Sequence, residues 1–408
     1  MKMTIQPGPL GGELPAIPSK SQAHRLLICA ALAEEPTLLS CGALNRDIEA
    51  TAACLQALGA EVEYRCGAFR ISPIRSLSGG AVLDCGESGS TLRFLLPVVC
   101  ALGAEGCFLL RGRLPERPLS PLWEELERHG AVLGRTARDR VTFSGKLEPG
   151  DYRIPGDISS QYISGLLFAL PLLEGESTLT PSGRLESAGY LEMTKQAQAL
   201  FGLTWSGDRS GETWRLTSGR RYRSPGLAEV EGDWSGASFW LAADALSPRK
   251  IRVTGLNAAS PQGDRAAAEL IPRIRAGNAV IDAGDIPDLV PPLAAVAAVS
   301  PGETRFENAG RLRLKESDRL QSVCAMLRAL GADAEEKPEE LVVRGKETLR
   351  GGVVDSCRDH RIAMSAAVAA IACREPVTVL GAEAVEKSYP AFWEDYRSLG
   401  GRLREEET

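Results

Sequence analysis

The chain has 408 residues, a formal net charge of −6 and a hydrophobic fraction of 44 %. At roughly 100–200 residues per domain, this length predicts two or three domains. Proteins that bind nucleic acid usually have a basic face with stacking aromatic side chains. Here the balance is acidic and aromatic residues make up 5 %. The composition therefore argues against a nucleic-acid partner, although it leaves room for a local basic pocket.

The sequence shows no clear signal peptide, membrane span or metal-binding motif. The first 14 residues lack the basic start, apolar run and cleavage site of a signal peptide, and no run of 18 apolar residues predicts a membrane span. The ten cysteines form no Cys-x-x-Cys pair, and only three histidines are present, which argues against zinc. We therefore expect reduced, buried thiols in a cytoplasmic protein.

One pattern recurs six times: an amphipathic helix that ends at a glycine and is followed by a short strand. A glycine just beyond a helix takes the left-handed conformation that ends it, and a β-branched run after it favours a strand. Helix–glycine–strand turns are common, so the regularity could be accidental, but six copies favour a repeated α+β module. The glycines are Gly59, Gly130, Gly202, Gly277, Gly331 and Gly400.

Two segments of the N-terminal half have the residues of an anion site. Lys20, Ser21 and Arg25 precede an apolar run that predicts a helix from Leu26. Cations beside the backbone N–H groups of a helix start can hold a phosphate. The small-residue segment 85–93 would let backbone approach an anion closely. Taken alone, the first segment is better explained as an ordinary capped helix with a solvated Lys and Arg, and the second is weak evidence for an anion site.

Two charged segments of the C-terminal half repeat this theme. Segment 311–319 carries six charges and predicts a strand leading into a helix, with Arg313 and Lys315 on one face. A salt-bridged surface helix is the ordinary alternative. In segment 358–361, a histidine between cations opens an apolar helix, which favours an anion site over a purely structural histidine.

Taken together, these segments resemble the EPSP synthase family, and the resemblance runs from Lys20 to Lys387. Its most specific parts are Leu-Lys-Glu-Ser-Asp-Arg at 314–319 and Asp-His-Arg-Ile-Ala-Met at 359–364. Shorter matches are the Lys20, Ser21 and Arg25 set, Glu-Arg-Pro-Leu at 116–119, Ser-Ser-Gln at 159–161 and Ile-Pro-Asp at 286–288.

The resemblance implies an α+β fold of two similar domains. Each domain would contain three βαβαββ units in an inside-out α/β barrel, with the substrate cleft between the domains. Residues 1–18 and 232–408 would form a discontinuous domain that holds both termini, and residues 19–231 would form an inserted one. Three of the six glycines then fall in each domain.

The implied reaction belongs to aromatic amino-acid biosynthesis. The enolpyruvyl group of phosphoenolpyruvate moves to the 5-hydroxyl of shikimate 3-phosphate by addition and elimination, and phosphate is released. Both substrates are anions, which explains clustered cations in an acidic protein. No metal or organic cofactor, nucleic acid or membrane is expected, and we expect a monomer. Glyphosate, a phosphonate inhibitor of this family, competes with phosphoenolpyruvate.

The resemblance also implies roles for individual residues. Asp288 would be the base on the hydroxyl, Glu316 would transfer a proton at the methylene carbon, and Lys20 would be another acid or base. Shikimate 3-phosphate would be held by Lys20, Ser21, Arg25, Ser159, Ser160, Gln161, Ser187, Asp288 and Lys315. Phosphoenolpyruvate would be held by Lys20, Gly89, Arg117, Gln161, Arg319, Arg361 and Lys387.

Two other functions compete with this one. The sister enzyme that uses UDP-N-acetylglucosamine typically has a cysteine in the loop here numbered 113–119 and an asparagine at the position of Ser21; this chain has neither. A repeat protein that had lost its chemistry would not need the acid, base and cation positions, all of which are present: Lys20, Asp288, Glu316 and Lys387. Glu87 stands where many relatives have asparagine, and Arg311 stands where some of them do.

Overall fold

The computed structural model describes residues 1–207, 213–218 and 221–406. They form two compact units: the terminal unit, Met1–Ser19 with Glu231–Thr408, and the inserted unit, Lys20–Val230. None of the described helices is long and apolar enough to cross a membrane.

The elements are numbered in chain order. The strands are β1 (Lys2–Gln6), β2 (Gly12–Pro15), β3 (Thr37–Ser40), β4 (Glu61–Arg65), β5 (Ala68–Ser72), β6 (Ala81–Asp84), β7 (Gly106–Leu109), β8 (Ala131–Ala137), β9 (Arg140–Gly145), β10 (Asp151–Pro155), β11 (Thr178–Ser182), β12 (Thr204–Gly207), β13 (Trp214–Ser218), β14 (Leu227–Glu229), β15 (Ile251–Thr254), β16 (Val280–Asp282), β17 (Glu303–Glu307), β18 (Asp333–Glu336), β19 (Leu341–Arg344), β20 (Gly352–Asp355), β21 (Val377–Leu380) and β22 (Arg402–Glu406). The α-helices are α1 (Lys20–Ala31), α2 (Arg46–Ala57), α3 (Gly89–Leu102), α4 (Leu122–Arg128), α5 (Ser160–Ala169), α6 (Ala188–Leu200), α7 (Trp234–Leu246), α8 (Ala267–Arg275), α9 (Val290–Ala297), α10 (Arg319–Ala329), α11 (His360–Ala369) and α12 (Phe392–Ser398).

The six glycines all end helices, as predicted. Each lies two residues beyond a helix, has a φ between 80° and 113°, and is followed by a strand within three residues. At the first copy, the N–H of Gly59 donates to the carbonyl of Gln56 at 2.9 Å, and that of Ala60 donates to Leu55 at 3.0 Å. This pair of bonds closes the last turn, and only glycine adopts the required conformation without strain.

Five four-stranded sheets share one pairing scheme, in which one pair of strands is parallel and the next two pairs are antiparallel. In the inserted unit the strand orders are β14-β3-β5-β4, β6-β7-β9-β8 and β10-β11-β13-β12. In the terminal unit they are β16-β17-β19-β18 and β20-β21-β1-β22. The remaining sheet is the parallel pair β2 and β15.

The two-stranded sheet explains why Gly277 lies closer to the next glycine of the repeat than the other glycines do. Between Gly59 and the next parallel strand β6, the chain forms the antiparallel pair β4 and β5. After Gly277 the chain runs directly into β16. This copy lacks the strand pair, so its glycine lies only 54 residues before the next one.

The helices at the centre of each unit are buried on all sides. α3 and α5 in the inserted unit, and α9 and α11 in the terminal unit, expose almost none of their side chains. Helices that are apolar all round belong in a core. Their N-terminal ends are where the polar residues of the sequence motifs begin, so the core itself positions those motifs.

The predicted strand in segment 311–315 is wrong. Residues Gly310–Leu314 form a 3-10 helix, and Arg319 begins α10. Leu312 is fully buried, while Arg313 donates to the backbone carbonyls of Lys337 at 2.8 Å and Pro338 at 3.1 Å. These distant partners fix the turn, and the local sequence does not reveal them.

All ten cysteines are free thiols, and eight are buried, in agreement with the expectation from the sequence. Burial raises the pKa of the Cys41 and Cys100 thiols to about 12. The two exposed cysteines are Cys66 and Cys357.

Candidate active site

Lys20 is the first residue of α1, so the helix begins six residues before the predicted Leu26. Its Nζ donates to Oδ2 of Asp47 on α2 at 3.1 Å, and the Asp47 side chain is 8 % exposed. A largely buried carboxylate therefore holds the ammonium group in place. No feature of the sequence had singled out Asp47.

Arg25 is buried and bound to neutral oxygen atoms. Its Nε donates to Thr194 Oγ1 at 2.8 Å, and its Nη1 and Nη2 donate to the backbone carbonyls of Ser21 at 2.6 Å and Tyr190 at 2.9 Å. Its guanidinium group lies 4.9 Å from the ring centre of Phe94. Burial lowers the pKa of Arg25 to about 10, so the group stays charged at neutral pH.

Arg93 fixes the orientation of Gln161. Its Nη1 donates to Gln161 Oε1 at 2.9 Å, its Nη2 donates to the Pro118 carbonyl at 3.0 Å, and Gln161 Nε2 donates to Ser90 Oγ at 3.0 Å. These bonds join the N-terminal ends of α3 and α5. The sequence placed Arg93 in the motif but gave it no role, because Gln161 lies 68 residues away.

Gly89 lies directly against two guanidinium groups. A Cβ atom at this position would be 2.6 Å from Arg117 Nη1 and 2.9 Å from Arg93 Nη1. Cations and the N–H groups of a helix start therefore share one small region. Glu87 lies in the same loop and packs beside Gly112.

Besides Ser21, three serines assigned to the substrate also lie at helix starts. Ser159 caps α5 by accepting a bond from the N–H of Gln161 at 3.3 Å, and Ser160 is the first residue of that helix. Ser187 precedes α6 with a left-handed backbone at φ 57°. That conformation costs a non-glycine residue about 1–3 kcal/mol and is typical of functional positions.

Arg319 is the centre of the terminal-unit site. Its side chain is 1 % exposed and donates to three carboxylates: Asp288 at 2.8 Å, Glu316 at 2.6 Å and Asp359 at 3.0 Å. Burial alone lowers the pKa of Arg319. The three carboxylates outweigh that effect and raise the pKa above its usual range.

Asp288 lies just before α9 and is surrounded by cations. Its Oδ2 accepts a bond from Arg361 Nη2 at 2.9 Å, and its Oδ1 lies 3.7 Å from Lys315 Nζ. Burial raises the pKa of Asp288, but the positive charges of Arg361, Lys315 and Arg319 outweigh burial and hold it well below its usual value. Asp288 is therefore ionised at neutral pH.

Arg361 joins the starts of three helices. Besides the Asp288 side chain, it donates to the Asp288 carbonyl at 3.0 Å and to Ser235 Oγ at 2.7 Å. Glu316 occupies a comparable position between two cations, since its Oε1 lies 3.5 Å from Lys387 Nζ and its Oε2 accepts from Arg319.

Asp359 is a fully buried carboxylate that we did not predict as a site residue. It caps α11 by accepting a bond from the N–H of Arg361 at 3.0 Å, and it also accepts from Ser317 Oγ at 3.0 Å and Arg319 Nε at 3.0 Å. A helix-capping residue type beside His360 was the available signal. Its partners, about 40 residues away, were not visible in the sequence.

The environment of Lys315 disfavours its charged form. Burial, together with the charges of Arg319 and Arg311, lowers the pKa of Lys315 to about 8, although Asp288 and Glu316 act in the opposite direction. This cation can therefore lose its proton just above neutral pH.

The predicted site residues fall into two sets, one in each unit, and each set gains one residue that the sequence did not assign: Arg93 in the first and Asp359 in the second. We call the first the grip cluster; it contains Lys20, Ser21, Arg25, Gly89, Arg93, Arg117, Ser159, Ser160, Gln161 and Ser187. We call the second the carboxylate cluster; it contains Asp288, Lys315, Glu316, Arg319, Asp359, Arg361 and Lys387. Within the described part of the chain, no group of three or more His, Cys, Asp or Glu side chains is placed to hold a metal ion.

Each cluster suits a different chemical task. The grip cluster offers cations, hydroxyl groups, an amide and helix N–H groups, which together bind phosphate and carboxylate groups. The carboxylate cluster adds acid–base groups to its cations and can move protons beside a bound anion.

Comparisons with known proteins agree with this chemistry. Residues 5–396 match the family model of EPSP synthase (3-phosphoshikimate 1-carboxyvinyltransferase). The chain is 40 % identical to a 3-phosphoshikimate 1-carboxyvinyltransferase of Clostridium kluyveri, over 99 % of this chain and 98 % of the relative. It is 39 % identical to one from Clostridium perfringens, over 99 % of this chain and all of the relative.

The fold has a solved counterpart as well. An EPSP synthase structure from Acinetobacter baumannii superimposes with a TM-score of 0.80 at 23 % identity, covering 99 % of this chain and all of that one. The fold is thus the two-domain inside-out α/β fold of that structure, and the full-length family match shows that the chain belongs to the EPSP synthase (3-phosphoshikimate 1-carboxyvinyltransferase) family.

Proposed function

We propose that this protein transfers the enolpyruvyl group of phosphoenolpyruvate to the 5-hydroxyl of shikimate 3-phosphate and releases phosphate. The observation that carries the proposal is the position of Asp288, an ionised carboxylate bound by Arg319 and Arg361 and close to Lys315. A base surrounded by cations is what a hydroxyl attack on an anionic substrate requires.

In the addition step, the hydroxyl oxygen attacks C2 of phosphoenolpyruvate and its proton passes to Asp288. A proton from Glu316 or Lys20 adds to the methylene carbon and turns it into a methyl group. In the elimination step, the methyl group returns one proton, the double bond forms again and the C–O bond to phosphate breaks. The products are 5-enolpyruvylshikimate 3-phosphate and inorganic phosphate.

The cations divide between the two substrates in this proposal. Lys20, Arg117, Arg319, Arg361 and Lys387 hold phosphoenolpyruvate, with Gly89 and Gln161 beside it. Lys20, Ser21, Arg25, Ser159, Ser160, Gln161, Ser187, Asp288 and Lys315 hold shikimate 3-phosphate. When the phosphoenolpyruvate anion attracts Arg319 and Arg361, Asp288 loses part of its stabilisation and becomes a better base.

Two finer points belong to the same proposal. Eight buried free thiols suit a reducing compartment, so we place the protein in the cytoplasm. We also propose that it acts as a monomer. Sedimentation at micromolar and higher concentrations would show a dimer if this is wrong.

The test is phosphate release by the purified protein with phosphoenolpyruvate and each of two acceptors. We expect release with shikimate 3-phosphate and none with UDP-N-acetylglucosamine. The reverse preference would replace the proposed acceptor, and no release with either would refute enolpyruvyl transfer.

A further inference from the structure

A buried chain of side-chain hydrogen bonds connects three helices of the inserted unit. His24 Nδ1 on α1 lies 2.7 Å from Thr51 Oγ1 on α2, and Thr51 Oγ1 lies 2.6 Å from Thr91 Oγ1 on α3. The Thr91 hydroxyl donates to Ser88 Oγ at 2.7 Å, and Ser88 caps α3. All four side chains are fully buried. The reaction scheme above does not use any of them.

The number of available protons determines which group donates in each hydrogen bond of this chain. Each threonine hydroxyl has one proton to donate. Thr91 gives its proton to Ser88, so Thr51 must donate to Thr91, and the proton between Thr51 and His24 must come from His24 Nδ1. His24 is therefore the Nδ1–H tautomer, a choice that hydrogen-bond networks decide.

The other ring nitrogen agrees with this tautomer. His24 Nε2 is buried and has no hydrogen-bond partner among the described residues. A buried N–H group without a partner is rarer than a buried acceptor without one. Burial, supported by the charges of Lys20 and Arg25, lowers the pKa of His24 to about 3, although Asp47 acts in the opposite direction. The ring is thus neutral at physiological pH and carries the single proton that the chain requires.

The chain of hydrogen bonds ends next to the residues that surround the small-residue segment 85–93. His24 lies beside Arg25 and four residues after Lys20, while Thr91 lies between Gly89 and Arg93. Gly89 has little tolerance for movement, because atoms of Arg117 and Arg93 approach it so closely.

We propose that His24, Thr51 and Thr91 are positioning residues that hold the first turn of α3 against α1, and so set the geometry of the phosphoenolpyruvate end of the grip cluster. This proposal rests on the proposed function, since it names phosphoenolpyruvate as the anion.

The first test removes the middle hydroxyl by Thr51→Val, which keeps the shape of the side chain. Because Thr51→Val removes the bonds to both His24 and Thr91, we expect the KM for phosphoenolpyruvate to rise about five- to tenfold, while the KM for shikimate 3-phosphate changes less than about twofold. Thr51→Ser keeps the hydroxyl and should restore the KM.

A matched control comes from the same unit. Thr37 is buried and its hydroxyl lies 2.8 Å from Ser224 Oγ, outside the grip cluster. Thr37→Val should lower the Tm about as much as Thr51→Val does and leave both KM values unchanged. Equal KM effects of the two valine variants, or none in Thr51→Val, would overturn the positioning role.

Two further measurements need no enzyme activity. Nitrogen-15 NMR of the wild-type protein should show His24 as the neutral Nδ1–H tautomer near pH 7, and an Nε2–H tautomer would refute the direction of the chain. Amide hydrogen exchange at residues 89–91 should be faster in Thr51→Val than in Thr37→Val, and equal rates would refute positioning even in a protein that transfers no enolpyruvyl group. If the wild-type protein is inactive but both measurements agree, the proposed function fails and the positioning chain stands with an unidentified anion.

Discussion

Arg25 and Arg93 of the grip cluster are held differently from Arg319 of the carboxylate cluster, whereas Lys20 of the grip cluster also pairs with a carboxylate, that of Asp47. In the grip cluster, Arg25 and Arg93 donate to backbone carbonyls, a hydroxyl and an amide, so these contacts leave their positive charge uncancelled. In the carboxylate cluster, Arg319 alone binds three carboxylates. Four cations there face three anions, so little net charge remains for a ligand.

This contrast indicates that one cluster binds the substrates and the other takes part in the reaction. A cation held by neutral oxygens attracts an anion without first losing a partner. A cation bound to carboxylates must exchange partners, and each exchange changes the basicity of the carboxylate it leaves. We infer that the grip cluster supplies affinity, while the carboxylate cluster couples anion binding to proton transfer.

The largest expected effect is the loss of the base. Asp288→Asn should lower kcat by about 10²–10⁴-fold, with much smaller changes in KM, because the lost group acts in the transition state. Steady-state phosphate release measures this. Asp282→Asn changes an exposed carboxylate six residues earlier and serves as the control. A fall in kcat of less than about tenfold would exclude Asp288 as the base.

The second prediction concerns the stability of the carboxylate cluster. Arg319→Met leaves three carboxylates without their shared cation, so the free energy of unfolding should fall by about 3–5 kcal/mol. Arg344→Met removes a half-exposed arginine that also faces three carboxylates, those of Glu303, Asp333 and Glu335, and it should cost about 1 kcal/mol or less. Urea unfolding of both variants compares them. Similar losses would show that Arg319 is an ordinary ion-pair residue.

The third prediction tests whether the grip cluster has room for one additional methyl group at Gly89. Gly89→Ala forces the Arg117 and Arg93 guanidinium groups to move, because its methyl group would lie within 3 Å of both. We expect the KM for phosphoenolpyruvate to rise, and the inhibition constant of the longer glyphosate molecule to rise about tenfold more.

Gly79→Ala is the control, because a Cβ atom there has no neighbour within 4 Å. We also expect the wild-type protein to be sensitive to glyphosate. If both constants rise by the same factor in Gly89→Ala, Gly89 does not discriminate between the two molecules.

The sequence predicted local features better than distant pairings. The six glycines were found because ending a helix is a local problem that glycine solves. Arg93 with Gln161, and Arg319 with Asp359, are pairs separated by 68 and 40 residues, and only the fold brings them together. Segment 311–315 failed for the same reason, since the carbonyls that bind Arg313 lie 24 and 25 residues further along the chain. The resemblance supplied site residues, but not the contacts that hold them.

The smallest predicted effect is a pH dependence that only the carboxylate cluster should show. Lys315 has a pKa of about 8, so it is charged below that pH and neutral above it. A bound phosphate prefers the charged form, and the Kd of shikimate 3-phosphate should therefore rise about fivefold between about pH 7 and about pH 9. Arg25, with a pKa of about 10, stays charged over most of this range. Lys315→Arg should flatten the dependence, because arginine keeps its charge.

A loss of folded protein at high pH cannot explain this rise in the Kd of shikimate 3-phosphate. The folded pKa of Lys315 lies below its usual 10.5, so between the two values the unfolded chain binds more protons than the folded one. The contribution of Lys315 to the free energy of unfolding therefore rises with pH from about 8 to about 10.5, while binding weakens. Calorimetric titration with a parallel thermal melt at each pH separates the two effects. A Kd that rises equally in wild type and Lys315→Arg would assign the pH dependence to another group.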